Sequence, residues 1–140
     1  MSSHEDLPTS EYAFPGPLRD QLVAAIISGE KTTTTFLMRE VEADGEPMPA
    51  VGDRASVIDS AGEHVGIETI EEVRVVRIGD VDLAHAIGEG EGYRSVAEWR
   101  AGHESFWHGD EYRAYAGDPQ FRIDDDTIAV LVRFSFIAAE

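Results

Sequence analysis

The sequence has no cysteine, which excludes disulfide bonds, thiolate metal sites and cysteine nucleophiles. Basic side chains are also few: Lys and Arg total 11 against 28 Asp and Glu, for a formal net charge of −17. This charge repels polyanions at long range and argues against a broad surface for duplex DNA. No apolar run approaches the length of a membrane span, and the start MSSHEDLPTS lacks the features of a signal peptide. We therefore expect a cytoplasmic protein without a membrane partner.

Length and composition indicate a single soluble domain. The chain has 140 residues, of which 42% are hydrophobic and 28% are charged, so it can form a real core. Residues 1–10 are expected to be a disordered N-terminal lead, and residues 11–140 to form the domain. The predicted order of elements is helix, strand, hairpin, two helices and strand. This order favours an α+β fold with a mostly antiparallel sheet or a small barrel.

Apolar spacing and capping residues predict the individual elements. Pro17 suits the first turn of a helix, and Gly29 suits the position just after its end. Ser95 and Glu98 have the spacing of a capping box. A long hairpin arm is expected to bend at the acidic step at Glu71. We predict helices at 17–28, 80–87 and 95–107, strands at 32–38, 54–59, 65–78 and 127–137, and irregular segments at 40–53 and 108–126.

Lys31 is the single lysine among the 11 basic side chains, and it precedes four threonines in the segment SGEKTTTT. A lysine beside a helix end is most often a solvated surface charge. The alternative is that Lys31 enters a pocket, where partial burial favours an amine that acts as a base or nucleophile. Nearby hydroxyl groups would then hydrogen-bond the amine or a substrate carbonyl.

The segment GEGEGY, residues 88–93, alternates glycine with Glu89 and Glu91. A glycine-rich loop lets the backbone approach a ligand, and neighbouring carboxylates can act as general acid or base or bind a divalent ion. His85 lies one helical turn before Glu89, but a metal site of His85, Glu89 and Glu91 is a weak signal in so acidic a chain. A flexible acidic linker between two helices is the plainer interpretation.

Aromatic and arginine residues in the predicted loops suggest a pocket for a base and a phosphate. Tyr93 and Arg94 directly follow the glycine-rich segment. A loop aromatic can stack on a nucleobase, although surface tyrosines are common. The same interpretation extends to further loop tyrosines and nearby arginines, namely Tyr112, Tyr115, Arg100, Arg113 and Arg122, whereas Trp99, Phe106 and Trp107 are expected in the core.

The order and spacing of four blocks resembles the ASCH domain, a small PUA-like β-barrel related in shape to RNA-binding PUA domains. The blocks are the first helix, SGEKTTTT, VGDRASVIDSAGE and LAHAIGEGEGYRSVAEWRAGHESFW. The family hallmark is Gly-x-Lys, then Glu three residues later and Arg two further on. Gly29 and Lys31 match it, whereas Thr34 occupies the Glu position and Phe36 the Arg position. The missing Arg removes a fixed contact to an anion or carbonyl.

Two enzymatic branches of that family bear on the site. Thr34 matches a branch of amidohydrolases that act on N4-acetylcytidine, in which a Lys, this Thr and a Glu form the catalytic set. The Glu of that branch follows a His-Ala pair, as Glu89 follows His85 and Ala86 here. The resemblance therefore implies catalytic roles for Lys31, Thr34 and Glu89. Another branch resembles metal-dependent single-strand ribonucleases.

Together these observations predict an RNA- or nucleoside-binding domain with a Lys-centred pocket for a modified base or single-stranded RNA. The alternatives are an amidohydrolase for an N-acylated cytidine-type nucleoside and a metal-dependent single-strand ribonuclease. No cofactor is predicted, a divalent metal lacks a supporting ligand motif, and the oligomeric state stays open. The ligand-binding candidates are Gly29, Lys31, Glu91, Tyr93 and Arg94.

The geometry of a strand sets one further condition on Lys31. In a regular strand Lys31 shares a face with Thr33 and Thr35 rather than with Thr34. If Thr34 is the partner of Lys31, Lys31 must lie outside the regular strand, just beyond the helix end. We expect Lys31 and Glu89 to converge on one cleft at the mouth of the barrel.

Overall fold

The computed structural model describes residues 6–45 and 47–139. The strands in these ranges are β1 (Thr9–Ser10), β2 (Thr33–Leu37), β3 (Arg54–Ile58), β4 (His64–Arg77) and β5 (Ile128–Ala138). The helices are α1 (Pro17–Ser28), α2 (Met38–Asp44), α3 (Leu83–Gly88), α4 (Val96–Trp107) and α5 (Asp110–Ala116). Of the predicted disordered lead, residues 1–5 lie outside the described residues, whereas Thr9 and Ser10 pair with β3.

The five strands form one mixed sheet in the order β1-β3-β4-β5-β2. β1 runs parallel to β3, and the other neighbouring strands are antiparallel. The fold is therefore α+β, as the sequence predicts. Within the described residues β1 and β2 are edge strands, so the expected closure into a barrel is wrong. Just before β2, Thr32 N–H donates to the Gly88 carbonyl at 2.7 Å, which holds the end of α3 beside this strand.

Helices pack on both faces of the sheet, because alternate residues of β5 point to opposite sides. Ala129 and Leu131 belong to one buried cluster, and Phe134 belongs to the other. The first cluster takes its helical residues from α3, α4 and α5, namely Ala86, Trp99, Trp107 and Tyr112. The second takes them from α1, namely Leu22, Val23 and Ile26.

The capping residues and the bend predicted from the sequence are found in the structure. α1 begins at Pro17, and Gly29 ends it in the left-handed region with a φ of 86°. At the start of α4, Ser95 Oγ accepts a hydrogen bond from Glu98 N–H at 3.1 Å. The β4–β5 register shifts between Ile70 and Glu72, which bends the long hairpin arm at the acidic step.

Two short helices occupy segments that the sequence predicts to be irregular, so that prediction is wrong for α2 and α5. Each has seven residues, and neither follows a Ser, Thr, Asp or Asn cap. Leu37 precedes α2, and its N–H is satisfied by Glu40 Oε2 at 2.7 Å. The helices end at Gly45 and Gly117, with φ of 65° and 71°.

The helices are short in comparison with a bilayer. The longest, α1 and α4, have 12 residues each. A membrane-spanning helix needs about 20 consecutive apolar residues. Across the residues that the structure describes, no helix has the length and hydrophobicity to cross a membrane.

Candidate functional site

Lys31 lies in the short connection between α1 and β2. Its backbone N–H donates to the Ala25 carbonyl at 3.0 Å, which ties the residue to the end of α1. β2 begins two residues later, at Thr33. The left-handed conformation of Gly29 turns the chain back here, so Lys31 is directed inward rather than along the strand.

The Lys31 side chain is buried, with 2% of its surface exposed. Its Nζ donates to the Thr33 carbonyl at 2.7 Å and lies 3.4 Å from both the backbone oxygen and Oε1 of Glu89. The Tyr12 ring centroid is 5.7 Å from Nζ, a cation–π distance. Lys31 is therefore buried among hydrogen-bond acceptors and paired with Glu89, which corrects the surface-charge interpretation.

Glu89 is equally buried and receives donors on both carboxylate oxygens. Oε1 faces Lys31, and Oε2 accepts from Thr35 Oγ1 at 2.8 Å and from the indole N–H of Trp99 at 2.5 Å. His85 Nε2 and His103 Nε2 lie 3.5 Å and 3.3 Å from the same oxygen. The carboxylate is thus held by side chains from α3, α4, β2 and the Lys31 connection.

The hydrogen-bond pattern assigns protons within this network. The Thr35 hydroxyl has one proton, which it donates to Glu89, so it accepts from His85 Nε2 at 2.7 Å. His103 Nδ1 faces the Trp99 carbonyl at 3.0 Å, which requires an N–H there. His103 Nε2 lies 3.3 Å from Oε2 of Glu89. These hydrogen bonds hold the Glu89 carboxylate in one orientation.

The electrostatic environment keeps Glu89 ionised. Burial alone raises the pKa of its carboxyl, but hydrogen bonds from His103 and His85 and the Lys31 charge outweigh burial. The net result is a pKa well below the usual glutamate range. Glu91 behaves oppositely, because burial raises its pKa despite the favourable charge of Lys31. The loop thus holds two carboxyl groups with different proton affinities.

The site opens into a cleft of about 1040 Å³. Lys31, Thr34 and Glu89 all line it, as do Glu91 and Tyr93. Thr34 pairs with Val132 across the sheet and shares its face, whereas the hydrogen bond to Glu89 comes from the neighbouring Thr35. The structure therefore brings Lys31 and Glu89 together as expected, with Thr34 as a separate wall of the cleft.

Two predicted ligand-binding residues lie away from the cleft lining. Gly29 shapes the chain before Lys31 but is exposed, and the exposed Arg94 lies on the segment leading into α4. Arg100 and Arg113 are engaged elsewhere, by Glu104 and by the Phe121 carbonyl. The lining instead includes Arg54, whose position in β3 gave no signal in the sequence.

One group of candidate metal ligands occurs among the described residues, and it differs from the weak signal in the sequence. Glu89, Glu91 and His103 bring ligand atoms within 4.8 Å of one another. His85, in the predicted triad, is instead bonded to Thr35. Glu89 already accepts from protein donors on both oxygens, so a cation would have to displace them. A metal ion would therefore gain Glu89 as a ligand only by breaking hydrogen bonds that the carboxylate already accepts.

Comparison with known proteins identifies the family. The model of the ASCH domain matches residues 10–138. The chain belongs to the ASCH domain family. A search of curated proteins gives no match.

Solved structures support the same fold for this ASCH domain. An ASCH domain from Lactobacillus crispatus JV V101 superposes with a TM-score of 0.79 at 24% identity, covering 94% of this chain and 80% of the other. A protein from Enterococcus faecalis V583 has a TM-score of 0.72 at 21% identity, covering 84% and 68%. At these identities the likeness extends to the fold alone.

The sequence analysis missed three partners of Glu89: Thr35, Trp99 and His103. Trp99 and His103 are four residues apart on α4, and their rings stack at 4.4 Å. That spacing places two side chains on one helical face, and the sequence analysis assigned Trp99 to the core. The signal was therefore present, but only the tertiary contact of α4 with the glycine-rich loop shows its meaning.

Replacing Gly90 by Ala is expected to disrupt the site. Gly90 has a φ of 73°, and an added Cβ would lie 2.7 Å from backbone atoms of Glu30 and Lys31. The left-handed conformation costs an alanine about 1–2 kcal/mol, and relieving the overlap adds about 1–3 kcal/mol. Denaturant unfolding measures the sum.

Gly92→Ala is the matched control for Gly90→Ala. Gly92 also has a positive φ, 86°, but an added Cβ would meet nothing within 4 Å. This variant should therefore show the conformational cost without the overlap. Equal destabilisation by the two variants would contradict the close approach of the glycine-rich loop to Lys31.

Proposed function

We propose that the cleft binds a nucleoside with a modified base, or a short single-stranded RNA end, around the Lys31–Glu89 pair. The observation that supports this most is a buried, fully hydrogen-bonded ion pair that lines an open cleft of about 1040 Å³. Ligand sites are typically concave and mostly apolar, with a few fixed polar groups. The membership of the ASCH family, generally RNA-binding-like, is consistent with this class of ligand.

The walls of the cleft suit a flat heterocycle. Its lining includes the partly or largely exposed rings of Tyr93, Phe106 and Tyr115, whereas Trp107 and Tyr112 are buried in the first cluster. Base stacking on such rings contributes about 1–3 kcal/mol per base and tolerates different bases. Selectivity would then depend on the polar groups of the cleft rather than on its aromatic walls.

The basic residues of the cleft support a small ligand rather than long RNA. Lys31 is paired with Glu89, and Arg19 is held by Glu11 and by backbone carbonyls. Among the basic residues that line the cleft, Arg54 is left as an exposed cation. One exposed arginine provides few phosphate contacts in a chain with a net charge of −17.

Binding of a short single-stranded RNA is therefore expected to depend only weakly on salt. With one or two phosphates neutralised, a fourfold rise in salt should weaken affinity about 3- to 7-fold. Fluorescence anisotropy with a labelled oligonucleotide at 50 and 200 mM salt measures the slope, with an RNA duplex of the same length as comparison. A steep slope together with tight duplex binding would contradict the proposal.

Amide hydrolysis at the same site is the second candidate, because Lys31, Thr34 and Glu89 all line the cleft. In this reaction water adds to the acyl carbon of an N-acylated cytidine while Glu89 accepts the water proton. The Lys31 ammonium stabilises the negative charge on the acyl oxygen, and Thr34 orients the substrate. The C–N bond then breaks as the proton passes from Glu89 to the departing nitrogen. The products are a carboxylic acid and the free amine of the base.

One paired assay distinguishes these possibilities. A panel of unmodified and N-acylated nucleosides is incubated with the protein, and hydrolysis is followed by chromatography. In parallel, single-stranded RNA is titrated and examined for chain cleavage with and without Mg²⁺. Binding without turnover supports the binding function, loss of the acyl group supports the amidohydrolase, and metal-dependent RNA cleavage supports the ribonuclease. Absence of any binding or turnover contradicts the proposal.

A further inference from the structure

Glu68 is a second buried acid in the cleft, separate from the Lys31–Glu89 pair. It lies in β4, is 6% exposed, and lines the cleft. Its neighbours on the same face of the sheet are Ala55 on β3 and Phe136 on β5. The carboxyl group is therefore flanked by apolar side chains, where an unsatisfied polar group is unfavourable.

The hydrogen bonds of Glu68 are few compared with those of Glu89. Tyr12 O–H lies 3.2 Å from both carboxylate oxygens, so its single proton is shared between them. No ion pair involves Glu68 within the described part of the chain. Ser10 supplies a second hydrogen bond to the carboxyl group. A carboxylate has about four lone-pair sites, so acceptor capacity is left over.

Tyr12 connects the two acidic sites. Its ring lies 5.7 Å from Lys31 Nζ, and its hydroxyl group bonds Glu68. Lys31 and Glu68 thus both contact Tyr12 and both line the cleft. A ligand that contacts Lys31 with one group can present another group to Glu68.

The carboxyl oxygens of Glu68 suit a hydrogen-bond donor on a ligand. A carboxyl oxygen with a free lone pair accepts a hydrogen bond, and the exocyclic amino group of cytosine or adenine donates one. Burial raises the pKa of the carboxyl, and hydrogen bonds from Ser10 and Tyr12 and the charge of Lys31 lower it only in part.

We infer that Glu68 is a specificity-determining residue of the cleft and that its carboxyl group accepts a hydrogen bond from the exocyclic amino group of a nucleobase. This inference rests on the proposed function, since it names the feature of the nucleoside that the cleft recognises. It goes beyond the Lys31–Glu89 pair because Glu68 takes no part in that pair. Bases with an oxo group at the same position lack the donor and should bind less well.

Two matched nucleoside pairs test the inference. Cytidine and uridine, and adenosine and inosine, differ in whether an amino or an oxo group occupies one ring position. Calorimetric titration of the wild-type protein should show roughly tenfold tighter binding of the amino member of each pair. Glu68→Leu should reduce the preference to about twofold or less while uridine and inosine still bind.

Glu68→Gln is the matched variant that keeps the size of the side chain and an acceptor oxygen. Its amide can accept from an amino group but can also donate to an oxo group, so the preference for cytidine and adenosine should shrink. Glutamine keeps a polar group beside the Tyr12 hydroxyl, so this variant still tests the inference if Glu68→Leu does not fold.

The outcomes separate this inference from the proposed function. If the wild-type protein binds all four nucleosides equally, or if Glu68→Leu keeps the full preference for the amino members, the role of Glu68 is overturned and the proposed function stands. If the wild-type protein binds neither the nucleosides nor a short single-stranded RNA, the proposed function is overturned, and the role of Glu68 with it.

Discussion

Lys31→Met is expected to destabilise the protein by about 3–5 kcal/mol, because removing one member of a buried ion pair leaves the other charge uncompensated. Glu89 would remain 2% exposed without its cation, and the Thr33 carbonyl would lose its 2.7 Å donor. Methionine is of similar length, so little of the effect should come from lost volume. Denaturant unfolding followed by tryptophan fluorescence measures the change in the free energy of unfolding.

A double-mutant cycle isolates the pair itself. Lys31→Met combined with Glu89→Gln removes both charges, so it should be less destabilising than the sum of the two single changes. Arg122→Met is the control, because Arg122 is exposed and a surface substitution of this kind should change stability by about 0.5 kcal/mol or less. If Lys31→Met costs no more than Arg122→Met, the ion pair contributes nothing and the buried-pair interpretation fails.

The Lys31–Glu89 pair should also make the free energy of unfolding depend on pH. The folded-state pKa of Glu89 is depressed, so its contribution is fully present above the unfolded glutamate pKa of about 4.3. The contribution is lost as the pH falls through the lower, folded-state value. The difference in stability between the wild-type protein and Glu89→Gln should therefore be maintained at pH 5 and shrink at more acidic pH. A difference that grows on acidification would contradict the depressed pKa.

The position of Lys31 was predictable because it depends on local chemistry. Pro17 and Gly29 fix the ends of α1, and the threonine run favours a strand immediately afterwards. Lys31 lies between these two elements, so its place outside the strand followed from the predicted end of the helix and start of the strand. The convergence with Glu89 was also expected, but only through the resemblance to the ASCH domain.

Other features depend on contacts between distant segments, which periodicity does not report. The hydrogen bond to Glu89 comes from Thr35 because α3 packs against the edge of β2, and nothing in four consecutive threonines distinguishes one from the next. Glu68 lies between Ile67 and Thr69 in the strand, where the sequence suggests a solvent-facing acid. In the structure the hydroxyl group of Tyr12, 56 residues away, bonds its carboxyl group. The open sheet is a further example, because β1 and β2 stay at opposite edges and do not pair with each other.

Glu89→Gln is expected to have the largest effect on chemistry if the cleft hydrolyses N-acylated cytidine. Glutamine keeps the shape of the side chain but cannot accept and return a proton, so turnover should fall by roughly two to four orders of magnitude. Single-turnover hydrolysis of N4-acetylcytidine, followed by chromatography, measures the rate. Circular dichroism and unfolding confirm that the variant is folded at the assay temperature.

Glu30→Gln is the control for this experiment, because Glu30 is exposed and directly precedes Lys31. It makes the same chemical change beside the site without entering the network around Glu89, and its rate should stay within a few-fold of wild type. Undiminished hydrolysis in Glu89→Gln would exclude Glu89 as the proton carrier.

A protein that only binds its ligand gives another pattern, because neither variant then has turnover to lose. In that case Glu89→Gln should bind single-stranded RNA equally well or slightly better, since it removes one negative charge from the cleft.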